Sequence, residues 1–590
     1  MIDRIITESH STPKTPAIVS AQSIITITDP AQLEAALLPL NSSRVLGIDT
    51  ETTGLDPLIH EIRLLQIAAP KHPTLIIDFF QIKRQALAPV WDLLNGPAVK
   101  LFHNAKFDIK FLSRTGLPFI QNVFDTMLSA QLLKAGLAYN GFGLAHLVKE
   151  FLNEDLPKDQ QKSDWSGTLT PDQLQYAAKD AEMLLRLFPP LHKALDAAGL
   201  IEAAQIECDC VFSVAQMELT GIKLDLKAIL ALGLNLEKDR RRLRAKLREH
   251  FFKVLPDLNP DSPAQLQKAL CASGIKVQST NKETLTPLKD KYPIILDILE
   301  YKSVAKAVQA FSQKLPEHVH EATGRIHPDF RQLGPATGRF SCSDPNLQQI
   351  PRKKEFRRCF IPAPGCKFVI ADYSQIELRI AAEISQDPKM IGAYVNGLDL
   401  HQLTASLLTG KAIDRITKEE RQAAKAVNFG LIYAMGADGL RAYAKNTYGV
   451  DMTKDLALTF RQRFFNGYQG LAQWHRATGS RVAFETRTLS GRRRQWPFPA
   501  KITELLNTPV QGTSADILKI ALGYLPEALH GTGAKIVACV HDEIILEVPD
   551  EKTDEAAAIL TNVMEAAGKR YLKQVPVLAE PIIANSWADK

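Results

Sequence analysis

Asp49 and Glu51 close the run Arg44-Val-Leu-Gly-Ile-Asp-Thr-Glu51, which reads as a buried strand, and the two-residue period of a strand puts both carboxylates on one side. Asp372 ends a second such run, Phe368-Val-Ile-Ala-Asp372. Further on, the apolar runs 535–540 and 544–548 are separated by His541-Asp542-Glu543, the pattern of a β-hairpin with two adjacent acids at its tip. Asp108 follows His103-Asn104 at the entrance to a helical stretch, and Tyr176 and Asp180 share a helix face at i, i+4. Carboxylates brought close together repel and resist ionisation unless cations neutralise them. Mg²⁺ suits such oxygen ligands, and two ions roughly 4 Å apart clamp an in-line phosphoryl displacement. Each pair alone also reads as a polar turn or a solvated hairpin tip; the recurrence of the pattern is what points to metal-assisted chemistry.

A second constellation is cationic. Thr417-Lys-Glu-Glu420 fits a capping box that starts a helix, with Thr417 as N-cap and Glu420 reaching back. Arg421, Lys425 and Phe429 then recur every fourth residue, with Tyr433 one turn further on. Two fixed cations beside two aromatic rings suit a triphosphate and a stacked base. The wet edge of an ordinary amphipathic helix would carry the same cations. Asn428-Phe-Gly-Leu-Ile-Tyr433, however, is apolar on nearly all sides, which places Arg421 and Lys425 at a cleft.

These residues need elements to hold them. From about Ser23 to Leu200, short apolar runs alternate with helical stretches, the signature of an α/β fold. Residues 75–78 and 99–102 read as further strands, and Asp125 starts a helix through Met127 and Leu132. Residues 201–316 read mostly as helix, broken by polar turn clusters at 259–266 and 279–282. In that stretch Leu236, Leu243, Leu247 and Phe251 fall on one face, while Arg240, Arg241, Arg242, Arg244, Lys246 and Arg248 cover much of the rest. Such a basic arm is either a solvated helix or a phosphate-backbone contact, which fixes position without reading sequence. After Asp372, Ile376, Ile380 and Ile384 line one side of a helix.

At 590 residues the chain exceeds one hydrophobic core and implies roughly three to five domains. An apolar content of 45% and a charged content of 23% are those of an ordinary globular protein. The net charge of +6 is only mildly basic, but Arg and Lys cluster at 238–248, 352–358 and 492–494, runs that read either as solvated faces or as contacts for a polyanionic partner. The seven cysteines form no zinc-ligand spacing and no disulfide-dense block, so a reducing compartment is expected. No stretch reaches the roughly 18 apolar residues of a membrane span. Residues 1–22 lack an apolar signal core and read as a flexible tail, not a targeting peptide, so a cytoplasmic protein without membrane partners is expected. No P-loop GxxxxGK[ST] occurs, which argues against a helicase.

DxE at Asp49/Glu51, NxxxFD at Asn104–Asp108 and YxxxD at Tyr176–Asp180 together resemble the DEDD exonuclease family in its tyrosine-containing variant. The resemblance implies metal ligation by Asp49, Glu51, Asp108 and Asp180, with Tyr176 and Glu51 orienting the attacking water. Downstream come Thr337-Gly-Arg-Phe-Ser-Cys-Ser-Asp-Pro-Asn-Leu-Gln-Gln-Ile-Pro351, the Asp372–Glu377 motif and the Arg421–Tyr433 motif. Asn507-Thr-Pro-Val-Gln511-Gly and His541-Asp542-Glu543 complete the series. Their order is similar to that of family A DNA polymerases of the polymerase I type, and the likeness spans Ser23 to Lys590. It implies a ribonuclease H-like α/β exonuclease domain (23–200) followed by an α+β right-hand polymerase. The thumb would be 201–334, the palm 335–382 and 499–590, and the fingers 383–498. A 5′-nuclease domain is not expected ahead of the exonuclease.

Carried over position by position, the resemblance implies that Asp372 and Asp542 hold two Mg²⁺ ions, with the Tyr373 carbonyl as a further ligand and Glu543 in support. Each active site would take two Mg²⁺, with Mn²⁺ as a substitute. His401, Arg421 and Lys425 would grip the incoming triphosphate, Lys425 also protonating pyrophosphate. Gln375 would belong to the same nucleotide site. Phe429 and Tyr433 would frame the nascent base pair, and Glu377 would fill the space of a ribose 2′-OH. Arg339, Asn346, Gln348, Asn507, Gln511 and His541 would touch DNA, four of them (Arg339, Asn507, Gln511, His541) in the minor groove, where acceptors recur at similar places in every correct pair. The implied activity is template-directed synthesis from deoxynucleoside triphosphates on primed DNA, with 3′→5′ proofreading, by a monomer. Ala434 departs from the usual glycine, Gln349 from a common Asn, and Asp438 from a frequent aromatic residue that bears on strand displacement. Two rival readings stand beside this one. A DNA-binding protein without chemistry is opposed by the intact carboxylates, and a single-subunit RNA polymerase by Glu377 and the exonuclease motifs.

Overall fold

The computed structural model describes residues 23–161 and 163–590; the tail expected at 1–22 lies outside them. The N-terminal part is built on six strands: β1 Ile24–Ile27, β2 Val45–Thr52, β3 Ile62–Ala68, β4 Thr74–Asp78, β5 Val99–Phe102 and β6 Val123–Asp125. They lie in the order β1-β4-β3-β2-β5-β6, with β2 antiparallel to β3 and parallel to β5. β3 and β4 are buried along their whole length, as strands covered on both faces must be. Helix Pro171–Ala197 starts at a capping box formed by Thr170 and Gln173 and lies across β2. Gly47 permits that approach, since a Cβ there would stand 2.2 Å from the Ala181 carbonyl oxygen. The missing side chain is what lets Asp180, on this helix, reach Asp49 and Glu51 on β2.

Helix Leu226–Phe251 begins at Asp225, which accepts from the backbone N–H groups of Lys227 and Ala228, both at 3.0 Å. Its apolar face is divided, contrary to the single stripe expected. Leu243, Leu247 and Phe251 close a separate small core with Leu266, Ile298 and Tyr301, whereas Leu236 packs against the main core. The helix is anchored at one end and carries its own satellite core at the other. Much of its basic face is already paired: Arg240 with Asp261 at 3.0 Å, Arg242 with Asp239 at 3.4 Å and Lys246 with Asp297 at 2.8 Å. Arg241 is 80% exposed despite its own contact with Glu237.

The C-terminal part contains a four-stranded antiparallel sheet ordered Lys535–Val540, Glu543–Pro549, Cys366–Tyr373, Ala579–Ala584. Cys366–Tyr373 is central, buried at Phe368–Ala371 and at Tyr373, and its register sets the half-exposed Asp372 opposite Glu543 on one side and Glu580 on the other. Helix Ile502–Ala528 belongs to the same core. Between the first and second parts of this unit, residues 388–479 are helical.

The two halves are joined by buried polar contacts. Lys106 Nζ donates to Glu218 Oε1 and Asp329 Oδ1, each at 2.7 Å, and to the Phe330 carbonyl at 2.9 Å. Gln495 N donates to the Ala135 carbonyl at 3.0 Å, beside Gly136 (φ 89), where a Cβ would lie 2.2 Å from Gln495 O. Arg492, expected in a surface cluster, is instead fully buried, with Nη2 2.6 Å from both Glu207 and Asp516. A buried guanidinium needs such partners, because unpaired it would cost several kcal/mol, on the order of 3–5.

Candidate active sites

In the N-terminal site, Asp49, Glu51 and Asp180 each present a carboxylate oxygen within 4.8 Å of the others. Asp108, in the first turn of helix Ala105–Thr115, is held by Thr50, whose hydroxyl donates to Asp108 Oδ1 at 2.7 Å. Thr50 is not readable as a site residue from sequence, because threonine in a strand is an ordinary β-former. Asp125 plays a different role, since it accepts from the N–H groups of Asn104, Ala105, Met127 and Leu128 and so caps two helix starts.

The electrostatics of this group are those of anions short of cations. Burial, then the charges of Asp108, Asp180 and Glu51, hold the Asp49 carboxyl well above the ordinary range. Burial and then Asp180 and Asp108 push Glu51 up to about 9. Burial raises Asp108 to about 7, against the pull of the Thr50 hydroxyl, and Asp180 to about 6, against a hydrogen bond from Tyr176 and the charge of Lys158. The Tyr176 phenol is likewise raised, by burial and then by Asp180. Asp180 Oδ1 is buried without a hydrogen-bond partner. Divalent cations would relieve every one of these deficits, so the residues fit a metal site.

In the C-terminal site, Asp372 and Glu543 face each other across paired strands. Glu543 is therefore the first residue of a strand and not part of the hairpin tip, where the apolar pattern puts it. The tip is His541-Asp542, with His541 at φ 60. Tyr373 N donates to the Asp542 carbonyl at 3.3 Å, which holds the tip against the central strand. Burial, then the charge of Asp372, raises Asp542 to about 6, and this pair too fits a cation. Glu543 is buried and accepts from Trp587 Nε1 at 2.7 Å. Arg357, from the basic cluster 352–358, lies 3.9 Å from Glu543 and so faces a carboxylate. Lys590 pairs with both Asp372 and Glu543, a contact that nothing in the local pattern foretells.

The cationic helix runs over Lys418–Leu431 and has the expected capping box. Tyr433 stands past its end, in the following turn, beside Ala434 at φ 58. A Cβ in that left-handed conformation costs about 1–2 kcal/mol, which is why glycine is favoured there. Arg421 bonds Asp399 Oδ2 through Nε at 2.8 Å and Nη2 at 2.6 Å. Asp399 also caps helix Leu400–Thr409 through the N–H groups of His401 and Gln402. His401 is buried, accepts from Asn428 Nδ2 at 2.8 Å, and is pushed down to about 4 by burial, so it is neutral. The Phe429 ring centroid is 5.9 Å from that of His401. Lys425 has no hydrogen bond or carboxylate partner among the described residues.

Glu377 is the meeting point of Tyr433 with Arg339. It accepts from the Tyr433 hydroxyl at 2.5 Å and pairs with Arg339, and its charge reaches Asp542. Gln375, at φ 53, accepts from the Tyr394 hydroxyl at 3.2 Å. Asn507 and Gln511 sit on helix Ile502–Ala528, and His541 is exposed at the hairpin tip. Asn346 and Gln348 are engaged within their own loop: Asn346 accepts from Gln348 N at 3.0 Å, and Gln348 Nε2 donates to the Phe340 carbonyl at 3.2 Å.

Comparison with known proteins places both sites in context. Residues 231–589 match the profile of DNA polymerase family A, and residues 24–196 match a 3′-5′ exonuclease profile. The DNA polymerase I of Aquifex aeolicus is 36% identical over 598 residues, which cover 95% of this chain and 99% of that protein. The DNA polymerase I of Chloroflexus aurantiacus is 31% identical over 609 residues, covering 95% of this chain but 63% of that longer protein. Among solved structures, the POL domain of Pol1 from M. smegmatis, in complex with DNA primer-template and dNTP, superposes with a TM-score of 0.81 at 26% identity. The match covers 95% of this chain and 99% of that one.

Proposed function

This chain belongs to DNA polymerase family A and carries a 3′-5′ exonuclease domain, and from that premise we propose that each of its two carboxylate groups holds two Mg²⁺ ions for phosphoryl transfer on DNA. Synthesis and proofreading follow from the family; the ion, the residue roles and the boundaries are our assignment. We assign 23–200 to the exonuclease, 201–334 to the thumb, 335–382 with 499–590 to the palm, and 383–498 to the fingers. The observation that carries the reading is the cluster of raised carboxylates Asp49, Glu51 and Asp180 beside Tyr176, matched in the C-terminal half by Asp542, which burial and then the charge of Asp372 hold above the ordinary range.

In the polymerase site, Asp372 and Asp542 would hold the ions, which when bound supply an activated primer 3′-oxygen and charge neutralisation on the triphosphate. Arg421 exchanges Asp399 for phosphate oxygens. Lys425, free of other partners, protonates the departing pyrophosphate. His401, neutral and oriented by Asn428, donates its remaining N–H to the triphosphate. Phe429 and Tyr433 bound the nascent pair, while Glu377, fixed by Tyr433 and Arg339, fills the place of a 2′-OH. Arg339, Asn507, Gln511 and His541 face the minor groove. In the exonuclease site, Tyr176 and Glu51 orient the attacking water beside Asp49, Asp108 and Asp180. The enzyme acts as a monomer on primed template DNA and deoxynucleoside triphosphates, in the cytoplasm.

Extension of a labelled primer on a DNA template, with Mg²⁺ and with EDTA, tests this directly. Metal-dependent extension with deoxynucleotides, and little with ribonucleotides, is expected. Tight binding of primed DNA without turnover would return the chain to a binding role.

A further inference from the structure

Lys590 has no place in the chemistry described above, yet it occupies the polymerase carboxylates. Its ammonium lies 2.8 Å from Asp372 Oδ2 and also pairs with Glu543 Oε2. The Lys590 side chain is 19% exposed and that of Glu543 only 6%, so this contact is weakly screened by water and salt and anchors the ammonium, whereas Asp372 is 45% exposed and its contact with Lys590 is open to exchange. Glu543 in turn is fixed by its neighbours. Its other oxygen accepts from Trp587 Nε1 at 2.7 Å, and the Arg357 guanidinium stands 3.9 Å away. Trp587 is fully buried, edge-on to Phe360 at 5.3 Å, with Arg357 4.4 Å over its ring. Arg357, Trp587 and Glu543 thus make a rigid socket that aims Lys590 at Asp372. The exonuclease carboxylates are treated differently: among the described residues none of Asp49, Glu51, Asp108 or Asp180 forms an ion pair with Lys or Arg.

We propose that Lys590 is a resident counterion of the polymerase site, which neutralises Asp372 in the metal-free enzyme and must give up that oxygen before a divalent cation binds. The proposal rests on the reading of Asp372 and Asp542 as metal ligands. Glu543 Oε1 is held by Trp587 and Oε2 by Lys590, so in the metal-free site Glu543 acts as a positioning residue for Lys590. A cation that competes for Asp372 weakens metal loading of the idle site. An arriving triphosphate reverses that balance, because it brings phosphate oxygens that can take over the ammonium. Loading of the polymerase site is thereby tied to the presence of substrate.

Mn²⁺ binding without DNA, read from the electron paramagnetic resonance of the free ion, tests this in an Asp49→Ala, Glu51→Ala background that removes the other site. Lys590→Met and Lys590→Gln, which delete the charge, should each bind Mn²⁺ at least about 5-fold more tightly than the parent, the lower end of ordinary coupling between sites. Lys590→Arg keeps the charge and should stay close to the parent. Asp542→Asn serves as the control for the underlying reading. If it leaves Mn²⁺ binding intact, the metal assignment itself is wrong. If it abolishes binding while the Met and Gln variants bind no more tightly than the parent, Lys590 is not a competing counterion and the proposal falls.

Discussion

Tyr433 donates its hydroxyl to Glu377 Oε2 at 2.5 Å, and the same carboxylate is paired with Arg339. A carboxylate held from two sides cannot swing away, which suits its proposed role as a fixed wall against the incoming sugar. Glu377→Ala removes that wall and is expected to lower discrimination against ribonucleotides by about 10- to 100-fold, which corresponds to roughly 1.4–2.7 kcal/mol. The ratio of kcat/KM for matched deoxy- and ribonucleotides measures it. An unchanged ratio would place the gate elsewhere.

Arg421 is neutralised by Asp399 in the absence of nucleotide. Asparagine caps a helix as well as aspartate does, so Asp399→Asn removes the charge and spares helix Leu400–Thr409. Partly exposed pairs of this kind are worth about 0.2–1 kcal/mol, so the KM for deoxynucleotides should fall by up to roughly 5-fold. A rise in KM would mean that Asp399 orients Arg421 instead of holding it in reserve.

The raised carboxyls of the exonuclease site set a pH dependence of stability. Folded metal-free protein binds more protons than the unfolded chain at Glu51 (about 9), Asp108 (about 7) and Asp180 (about 6). Their contribution is greatest below the ordinary carboxylate range and is lost as pH rises through these values, because stability falls wherever the native state holds the extra protons. In EDTA the melting temperature should therefore drop between about pH 5 and pH 9, and Mg²⁺ should flatten the slope by taking the protons' place. Replacing Asp49 by Asn and Glu51 by Gln should flatten it without metal. A melting temperature in EDTA that ignores pH would contradict the burial of these charges.

Phe429 stands 5.9 Å from the neutral His401 ring and carries no donor. A dideoxynucleotide lacks the 3′-OH that can bond its own phosphate, so an oxygen is left unpaired at a cost of about 1–3 kcal/mol. Phe429→Tyr supplies a hydroxyl there and should make synthesis sensitive to dideoxy termination, with ordinary extension little changed. Termination ladders from exonuclease-deficient enzymes compare the two. Equal sensitivity would remove Phe429 from the sugar.

What is legible in the sequence is local. Asp49 and Glu51 can be paired because a strand repeats every second residue. Thr417 and Glu420 can be read as a cap because a capping box spans one turn, and the structure has it. The hidden relationships join distant positions: Thr50 with Asp108, Asp399 with Arg421, and Lys590 with Asp372. Arg492 looks like surface charge among its neighbours, and only folding brings Glu207 and Asp516 to it. Leu236 keeps helical register with Leu243 yet serves another core, because periodicity tells which face is apolar and not what covers it.

The central claim is that one chain holds two independent carboxylate–metal sites, and one paired assay tests it most directly. Asp49→Ala with Glu51→Ala, and separately Asp542→Ala, are compared with wild type on the same labelled primer-template in Mg²⁺, following both extension and 3′→5′ shortening. The first variant should lose shortening and extend at near wild-type rate; the second should lose extension and still shorten the primer. If either change silences both activities in a folded protein, the chain does not have two independent sites.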